Sequence, residues 1–112
     1  MSIFKIFGAE TNTVVIDKST YSTYADNNRR GSVNVKVSSI TVVNNNPANN
    51  VTVDLLIVNN ADTSVKYYIA KSVIIPVGVS LLLDNPFSFN ADTHSLKITS
   101  TGTGANLSLI IN

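Results

Sequence analysis

Short apolar stretches recur along most of the chain, and clusters of polar turn residues separate them. Apolar and polar residues alternate within these stretches, as in residues 51–57 and 107–111. Turn signals return about every 8–12 residues, and no segment shows helical periodicity over a useful length. This spacing is typical of an antiparallel β-sandwich, with a closed barrel as the alternative. We predict an all-β sandwich of about seven or eight strands, because the doubly apolar residues 51–58 suit a central strand better than a barrel wall.

Residues 67–84 contain the most regular pair of predicted strands. Pro76 suits the first position of a tight turn because its φ angle is already restricted, and Gly78 suits a left-handed third position. The sequence therefore predicts a β-hairpin with Ile75 opposite Val79. One face of this hairpin is apolar: Ile69, Val73, Ile75, Val79, Leu81 and Leu83. The other face is only partly polar, because Ile74 and Leu82 interrupt its serines.

The preceding strands contain a change of phase and an asparagine-rich turn. Apolar residues alternate through residues 33–37 and shift by one position at Ile40 and Val42. Such a shift indicates either a β-bulge or a bend at which the strand changes neighbours. Residues 44–50, with five asparagines and a proline, are predicted to form the solvated tip of a hairpin.

Composition narrows the class of protein. A chain of 112 residues is expected to form one domain, here residues 1–112. It has no cysteine, which excludes disulfides and thiolate metal ligands and fits a reducing compartment. A net charge of +1 with 13% charged residues gives no electrostatic footprint for nucleic acid. Neither a signal peptide nor a membrane-spanning run is evident, so we expect a soluble protein made without secretion and no membrane partner.

Residues 1–31 are predicted to form an N-terminal arm followed by a long polar loop. The apolar residues 3–7 form either an edge strand or an arm that docks on a neighbouring subunit, and residues 18–31 form the loop. Tyrosine and arginine combine apolar area with directional polar groups, which favours them at interfaces. The candidate interface residues are Ile3, Phe4, Ile6, Phe7, Tyr21, Tyr24, Arg29 and Arg30.

No residue pattern indicates catalysis or a cofactor. His94 is the sole histidine, and its neighbours Asp92 and Ser95 are too close in sequence to point at it from both sides, so it is expected to be a loop residue. Asp84, Asn85, Asn90 and Asp92 lack the spacing of a calcium loop and are explained by turn formation. We therefore expect no enzyme activity, no metal and no cofactor.

Residues 68–84, YIAKSVIIPVGVSLLLD, resemble part of the small virion proteins of tailed bacteriophages. In that family a strand with this Ile-Pro-x-Gly turn precedes an apolar segment, a strand opening on Asp, a glycine-rich turn and a terminal strand. Here residues 87–89, 92–98, 101–104 and 105–111 follow in the same order. The strand pair at residues 39–59 is also similar, so the resemblance covers about residues 33–112. It implies an immunoglobulin-like sandwich without an active site.

The resemblance implies a non-enzymatic structural protein of a tailed-phage virion. The expected role is a capsid decoration or cement subunit, with a neck, tail or baseplate accessory protein as the alternative. Partners would be the major capsid protein or other virion proteins, in a homo-oligomer or symmetric array assembled in the host cytoplasm. A separate alternative is a host-glycan-binding module that uses the ring faces of Tyr21 and Tyr24.

Overall fold

The computed structural model describes residues 2–24 and 34–112, with the backbone alone for residues 22–24. Within these residues the chain forms ten strands and one short helix, which is more strands than the seven or eight expected. In chain order they are β1 (Ile3–Phe7), β2 (Glu10–Ile16), α1 (Lys18–Tyr24), β3 (Asn34–Val37), β4 (Ile40–Asn44), β5 (Val51–Asn59), β6 (Lys66–Ile75), β7 (Ser80–Leu83), β8 (Phe87–Asn90), β9 (His94–Thr101) and β10 (Leu107–Ile111).

The strands form two four-stranded sheets and one two-stranded sheet. Sheet A has the order β1-β10-β4-β7, sheet B has the order β2-β9-β5-β6, and sheet C pairs β3 with β8. Every pairing is antiparallel. The predicted all-β antiparallel sandwich is therefore confirmed. β5 lies between β9 and β6, so its predicted central position is also confirmed.

The core lies between the inward faces of sheets A and B, and sheet C extends it at one end. Apolar side chains from the strands of all three sheets form one buried cluster. It includes Ile3, Phe7, Ile40, Val42, Leu107, Leu109 and Ile111 from sheet A, Ile16, Val51, Val53, Leu55, Ile75, Leu96 and Ile98 from sheet B, and Val35, Val37 and Phe89 from sheet C. Burial of this cluster is the main source of stability, since each fully buried large aliphatic side chain contributes roughly 1.5–3 kcal/mol.

Residues 67–84 do not form the predicted hairpin. A turn does form, because the Val79 N–H donates to the Pro76 carbonyl at 3.1 Å and Gly78 has a φ angle of 74°. However, β6 pairs with β5 and β7 pairs with β4, so Ile75 lies opposite Val51 instead of Val79. A Pro-x-Gly turn reverses the chain equally well within one sheet or between two, and here it carries the chain from sheet B to sheet A.

Four connections cross between the two large sheets at the same end of the sandwich. They are residues 8–9, 45–50, 76–79 and 102–106. The predicted hairpin tip at residues 44–50 is thus one of these crossings, and Asn44 and Asn46 are buried instead of solvated. Asn46 uses its amide group to donate to the carbonyls of Thr103 and Gly104, which ties two crossings together.

The change of phase after Val37 marks a bend. β3 pairs with β8 in sheet C, whereas β4 pairs with β10 and β7 in sheet A. Of the two expected explanations, the bend at which the strand changes neighbours is therefore the correct one.

The predicted loop at residues 18–31 begins with a helix, α1. Asp17 is its N-cap: the Asp17 carboxylate accepts from the Thr20 N–H at 2.7 Å, and the Asp17 N–H donates to Thr20 Oγ1 at 2.8 Å. This reciprocal pair is a capping box with Thr in place of Glu. Seven residues are too few to show helical periodicity, which explains the error. Among the described residues no helix is long and apolar enough to cross a membrane.

Candidate interaction surface

The outward side chains of sheet A form one surface, which we call the outer face of sheet A, and a depression of about 520 Å³ opens in it between β1 and β10. Strand register aligns these side chains in two rows across the four strands. One row is Phe4, Ile110, Thr41 and Leu82, and the other is Ile6, Ser108, Val43 and Ser80. Five of these eight residues are large and apolar, so the face is a candidate for contact with another molecule.

Three of the apolar side chains on this face are open to solvent. Phe4 is 69% exposed, Ile6 is 76% exposed and Leu82 is 61% exposed. Together they leave about 400 Å² of apolar surface, within the range of the largest patches on ordinary monomers. Patches of this size are often functional.

The outer face of sheet A carries no charge. Lys5 is the one charged residue in its four strands, all of which are described, and it lies on the inward side between Ile3 and Phe7. Its Nζ donates to the Val15 carbonyl of sheet B at 2.7 Å. Partial burial lowers the pKa of Lys5, and the Asp17 carboxylate opposes this effect by raising it. The lysine charge is thus drawn across the sandwich, away from the outer face.

The outward face of sheet B has the opposite character. Its strands carry Asp54, Lys66, Lys71 and Lys97. Leu56 and Val58 on this side are buried in a depression that Lys66 and Lys97 help to line, whereas Ile74 is 61% exposed and Tyr68 is 41% exposed beneath the Lys71 ammonium. The exposed apolar side chains of sheet B are therefore interspersed with charged ones, whereas Phe4 and Leu82 have no charged residue beside them among the described outward positions of sheet A. This difference distinguishes the outer face of sheet A as the surface suited to a partner.

The candidate arm is a strand of the sandwich, paired over its whole length with β10. The side chains of its four candidate interface residues lie on two opposite sides of the strand. Ile3 and Phe7 point inward and belong to the core, which corrects their assignment as interface residues. Phe4 and Ile6 point outward and form one border of the outer face. The division follows from strand alternation, in which successive side chains face opposite sides.

The other candidate interface residues lie elsewhere. Tyr21 is half buried and packs against the core from α1, so its ring is not freely available to a sugar. Tyr24 ends α1, and its side chain is outside the described atoms. Arg29 and Arg30 lie outside the described residues. Of these four residues the structure describes Tyr21 and Tyr24, and both belong to α1 and not to the outer face of sheet A.

The residues considered as candidates for catalysis or metal binding have structural roles. His94 opens β9 instead of lying in a loop, and its Nδ1 lies 2.7 Å from Thr93 Oγ1. Ser95 donates its hydroxyl to Asn60, and Asp92 pairs with Lys18 at 2.7 Å. These bonds leave no Ser-His-Asp relay. Within the described part of the chain, no three His, Asp or Glu residues group as metal ligands.

Sequence reasoning missed Leu82, Ile110 and Val43 as parts of one surface. Each lies at an apolar position on the second side of a strand whose first side is already apolar. That excess of apolar residues was a usable signal. Combining the three residues, however, required the strand order β10-β4-β7, which the sequence alone does not provide.

Comparison with known proteins yields distant structural likenesses. No family model matches the chain, and no curated protein matches it. Similar solved structures include chains of infectious bursal disease virus: the Gt strain, with 9% identity and a TM-score of 0.42 over 100% of this chain, and the Gx strain, with 7% identity and a TM-score of 0.38 over 100%. The T13 particle of that virus gives 11% identity and a TM-score of 0.34 over 99%.

The chain spans about a third of the length of these viral chains, which it covers to 31% in the Gt strain and the T13 particle and to 32% in the Gx strain. Likenesses at these identities and TM-scores carry no argument about the function of this chain.

Proposed function

We propose that this protein is a non-enzymatic structural subunit of a tailed-phage virion, in the role of a capsid decoration or cement protein. The observation that carries the proposal is the outer face of sheet A, an uncharged surface with Phe4, Ile6 and Leu82 exposed. In this role the face binds the protein shell, and the charged side of sheet B remains in solvent.

The form of the surface favours contact over chemistry. A substrate pocket brings together a few polar groups positioned to orient a ligand, whereas this face, including its depression between β1 and β10, has serine and threonine as its outward polar side chains. Apolar surface removed from water contributes roughly 25 cal/mol per Å², so fully covering the three exposed side chains favours binding by up to about 10 kcal/mol before association entropy is subtracted.

The sandwich itself suits a mechanical role. Within the described residues every buried side-chain nitrogen and oxygen has a hydrogen-bond partner. Loss of entropy on binding is small for a preorganised surface. Symmetric repetition on a shell then converts modest contacts into high avidity.

Two further points support the phage assignment. Residues 33–112 resemble small virion proteins of tailed phages in the order of their strands and turns. The subunit is also small, lacks cysteine and is nearly neutral, as suits a protein assembled onto a shell in a reducing cytoplasm. Neck, tail and baseplate positions remain the alternative location within the same class.

The test is the presence and copy number of the protein in purified virions, measured by quantitative mass spectrometry. A decoration role predicts copies on the order of hundreds per particle, matching the repeats of a symmetric shell. A few dozen copies or fewer would indicate that the protein lies in the neck, tail or baseplate. Absence from intact virions would contradict a structural role altogether.

A further inference from the structure

We infer that β1 pairs antiparallel with β1 of a second copy, across a two-fold axis at Lys5, so that two A sheets join into one sheet of eight strands. The pairing rests on the edge of sheet A alone. Its consequence for shell binding rests on the proposed function.

β1 is an open edge of sheet A. It pairs with β10 on one side, and no described strand pairs with its other side. The unpaired backbone N–H and C=O groups of an edge strand are a template for another strand, and proteins usually obstruct such edges with bulges, prolines or outward charges. β1 has none of these: its five residues pair with β10 without a shift in register, and its single charge points inward.

The edges of sheet B are obstructed. β2 pairs with β9 through two register shifts and contains Asn12 with a φ angle of 46°. β6 pairs with β5 through two shifts and contains Ser72 with a φ angle of 54°. Left-handed residues and shifts of this kind twist an edge away from a straight partner. These two strands are therefore unsuited to pairing with another molecule.

The remaining edge of sheet A, β7, is shorter. It has four residues and is followed by Asp84 and Pro86. β1 also carries Phe4 and Ile6, which are more exposed than Leu82 of β7. Both the backbone and the side chains thus favour β1 over β7 as the edge that takes a partner.

A second copy fits this edge because the strand is complementary to itself. With the axis at Lys5, Phe4 lies opposite Ile6 of the other copy and the reverse, so apolar side chains meet on the outer face. Cross-strand aromatic and β-branched pairs of this kind stabilise a sheet. The two Lys5 residues also face each other, but each ammonium is held at the Val15 carbonyl of its own sheet B, away from the seam.

The area is that of a reversible dimer. Edge pairing covers the backbone edge of β1 and the facing sides of Phe4 and Ile6, and it leaves the outward sides of both side chains open. The buried area is therefore smaller than the roughly 1,200 Å² at which stable specific interfaces begin. We therefore expect the dimer to form in solution at high concentration, and contacts with the shell to supply the remaining binding free energy on the virion.

Pairing at this edge keeps both outer faces on the same side. The two faces become one continuous apolar surface, which doubles the contact that one unit makes with a shell. Linked contacts of this kind raise the apparent affinity well beyond that of a single subunit.

Sedimentation equilibrium on the full chain tests the pairing, with the wild type and two lysine variants measured up to about 200 µM. Phe4→Lys places a charge at the seam, whereas Leu82→Lys places the same charge on the other edge of the same face. Edge pairing predicts a dimer for the wild type and for Leu82→Lys, with association weakened at least about tenfold in Phe4→Lys. A wild type that stays monomeric overturns the inference, as does equal loss in both variants, which indicates packing of faces instead of edges.

A second measurement does not depend on the variants. In a dimer of mixed isotope labelling, edge pairing predicts NMR contacts between the Phe4 ring of one copy and the Ile6 methyls of the other. Intermolecular contacts between Phe4 and Leu82 would instead overturn it. A monomer that still binds virions would refute the pairing and leave the proposed function standing. A dimer that is absent from virions would confirm the pairing and refute the proposed function.

Discussion

The side-chain amide of Asn44 donates to the Ile75 carbonyl at 2.9 Å and so joins the end of β4 in sheet A to the end of β6 in sheet B. The same amide donates to the Asn49 carbonyl at 3.0 Å, and Asn44 Oδ1 accepts from the Asn46 N–H at 2.9 Å. The side chain of Asn44 therefore replaces backbone pairing where the chain crosses between sheets. This bond network holds the crossing end of the sandwich together.

Replacement of Asn44 by alanine is expected to destabilise the fold by about 2–4 kcal/mol, because three hydrogen bonds disappear and buried backbone groups lose their partners. Asn45→Ala is the matched control. Asn45 is exposed and its amide bonds only to Ser108 Oγ among the described contacts, so its loss should cost under about 1 kcal/mol. Urea denaturation measures both values. Equal losses would refute a structural role for the buried amide.

Two isoleucines of β1 test whether residues 3–7 are a strand of the sandwich or a free arm. Ile3 is fully buried, so Ile3→Ala should cost about 3 kcal/mol through lost burial and a residual cavity. Ile6 points outward, and Ile6→Ala should cost under about 1 kcal/mol. The comparison uses free energies of unfolding in urea. A small effect at Ile3 would mean that the segment is an arm after all.

The capping box of α1 predicts a graded effect at Asp17. Asp17→Ala removes the side-chain acceptor for the Thr20 N–H and should cost about 1 kcal/mol. Asp17→Asn keeps an acceptor at the same place and should cost clearly less. Thermal unfolding of the three proteins gives the order. If Asn were as harmful as Ala, the carboxylate charge and not the cap would be responsible.

Lys5 predicts an increase in stability at alkaline pH. Burial lowers its pKa in the folded state below the ordinary 10.5, so the unfolded chain binds more protons between the two values. Stability then rises with pH across that window, and the penalty is fully present below the lowered pKa. Lys5→Met should remove this part of the rise. Urea midpoints measured on both proteins up to pH 10.5 give the difference, and parallel pH profiles would show that Lys5 titrates as it does in the unfolded chain.

Alternation of apolar residues predicted most of the strands, because a half-buried strand needs one apolar side and the residues of β4, β5 and β10 display it directly. Pairing was harder to predict. The turn at Pro76 and Gly78 was correctly located, but its local geometry is the same whether β7 joins β6 or crosses to β4. The choice depends on packing between distant strands.

Polar residues misled the prediction for a different reason. Asparagines in a turn usually face water, and nothing local distinguishes Asn44 and Asn46, which bond to carbonyls 31 and about 57 positions away. The helix α1 was missed because Lys-Ser-Thr-Tyr-Ser-Thr-Tyr contains poor helix formers, although Asp17 and Thr20 have the spacing of a capping box. Of the interface candidates, Phe4 and Ile6 lie on the outer face, and Ile3 and Phe7 lie in the core. The sequence alone does not show which side of β1 faces the core.

The central claim is that the outer face of sheet A binds the virion shell. Its most direct test compares two lysine variants at exposed positions, which are therefore expected to fold like the wild type: Leu82→Lys on this face and Thr101→Lys on β9 in sheet B. Copies bound per purified particle are counted by quantitative mass spectrometry. The account predicts that Leu82→Lys lowers occupancy at least about tenfold, because a lysine buried at an apolar contact has no partner, while Thr101→Lys binds like the wild type. Wild-type occupancy for Leu82→Lys would contradict it.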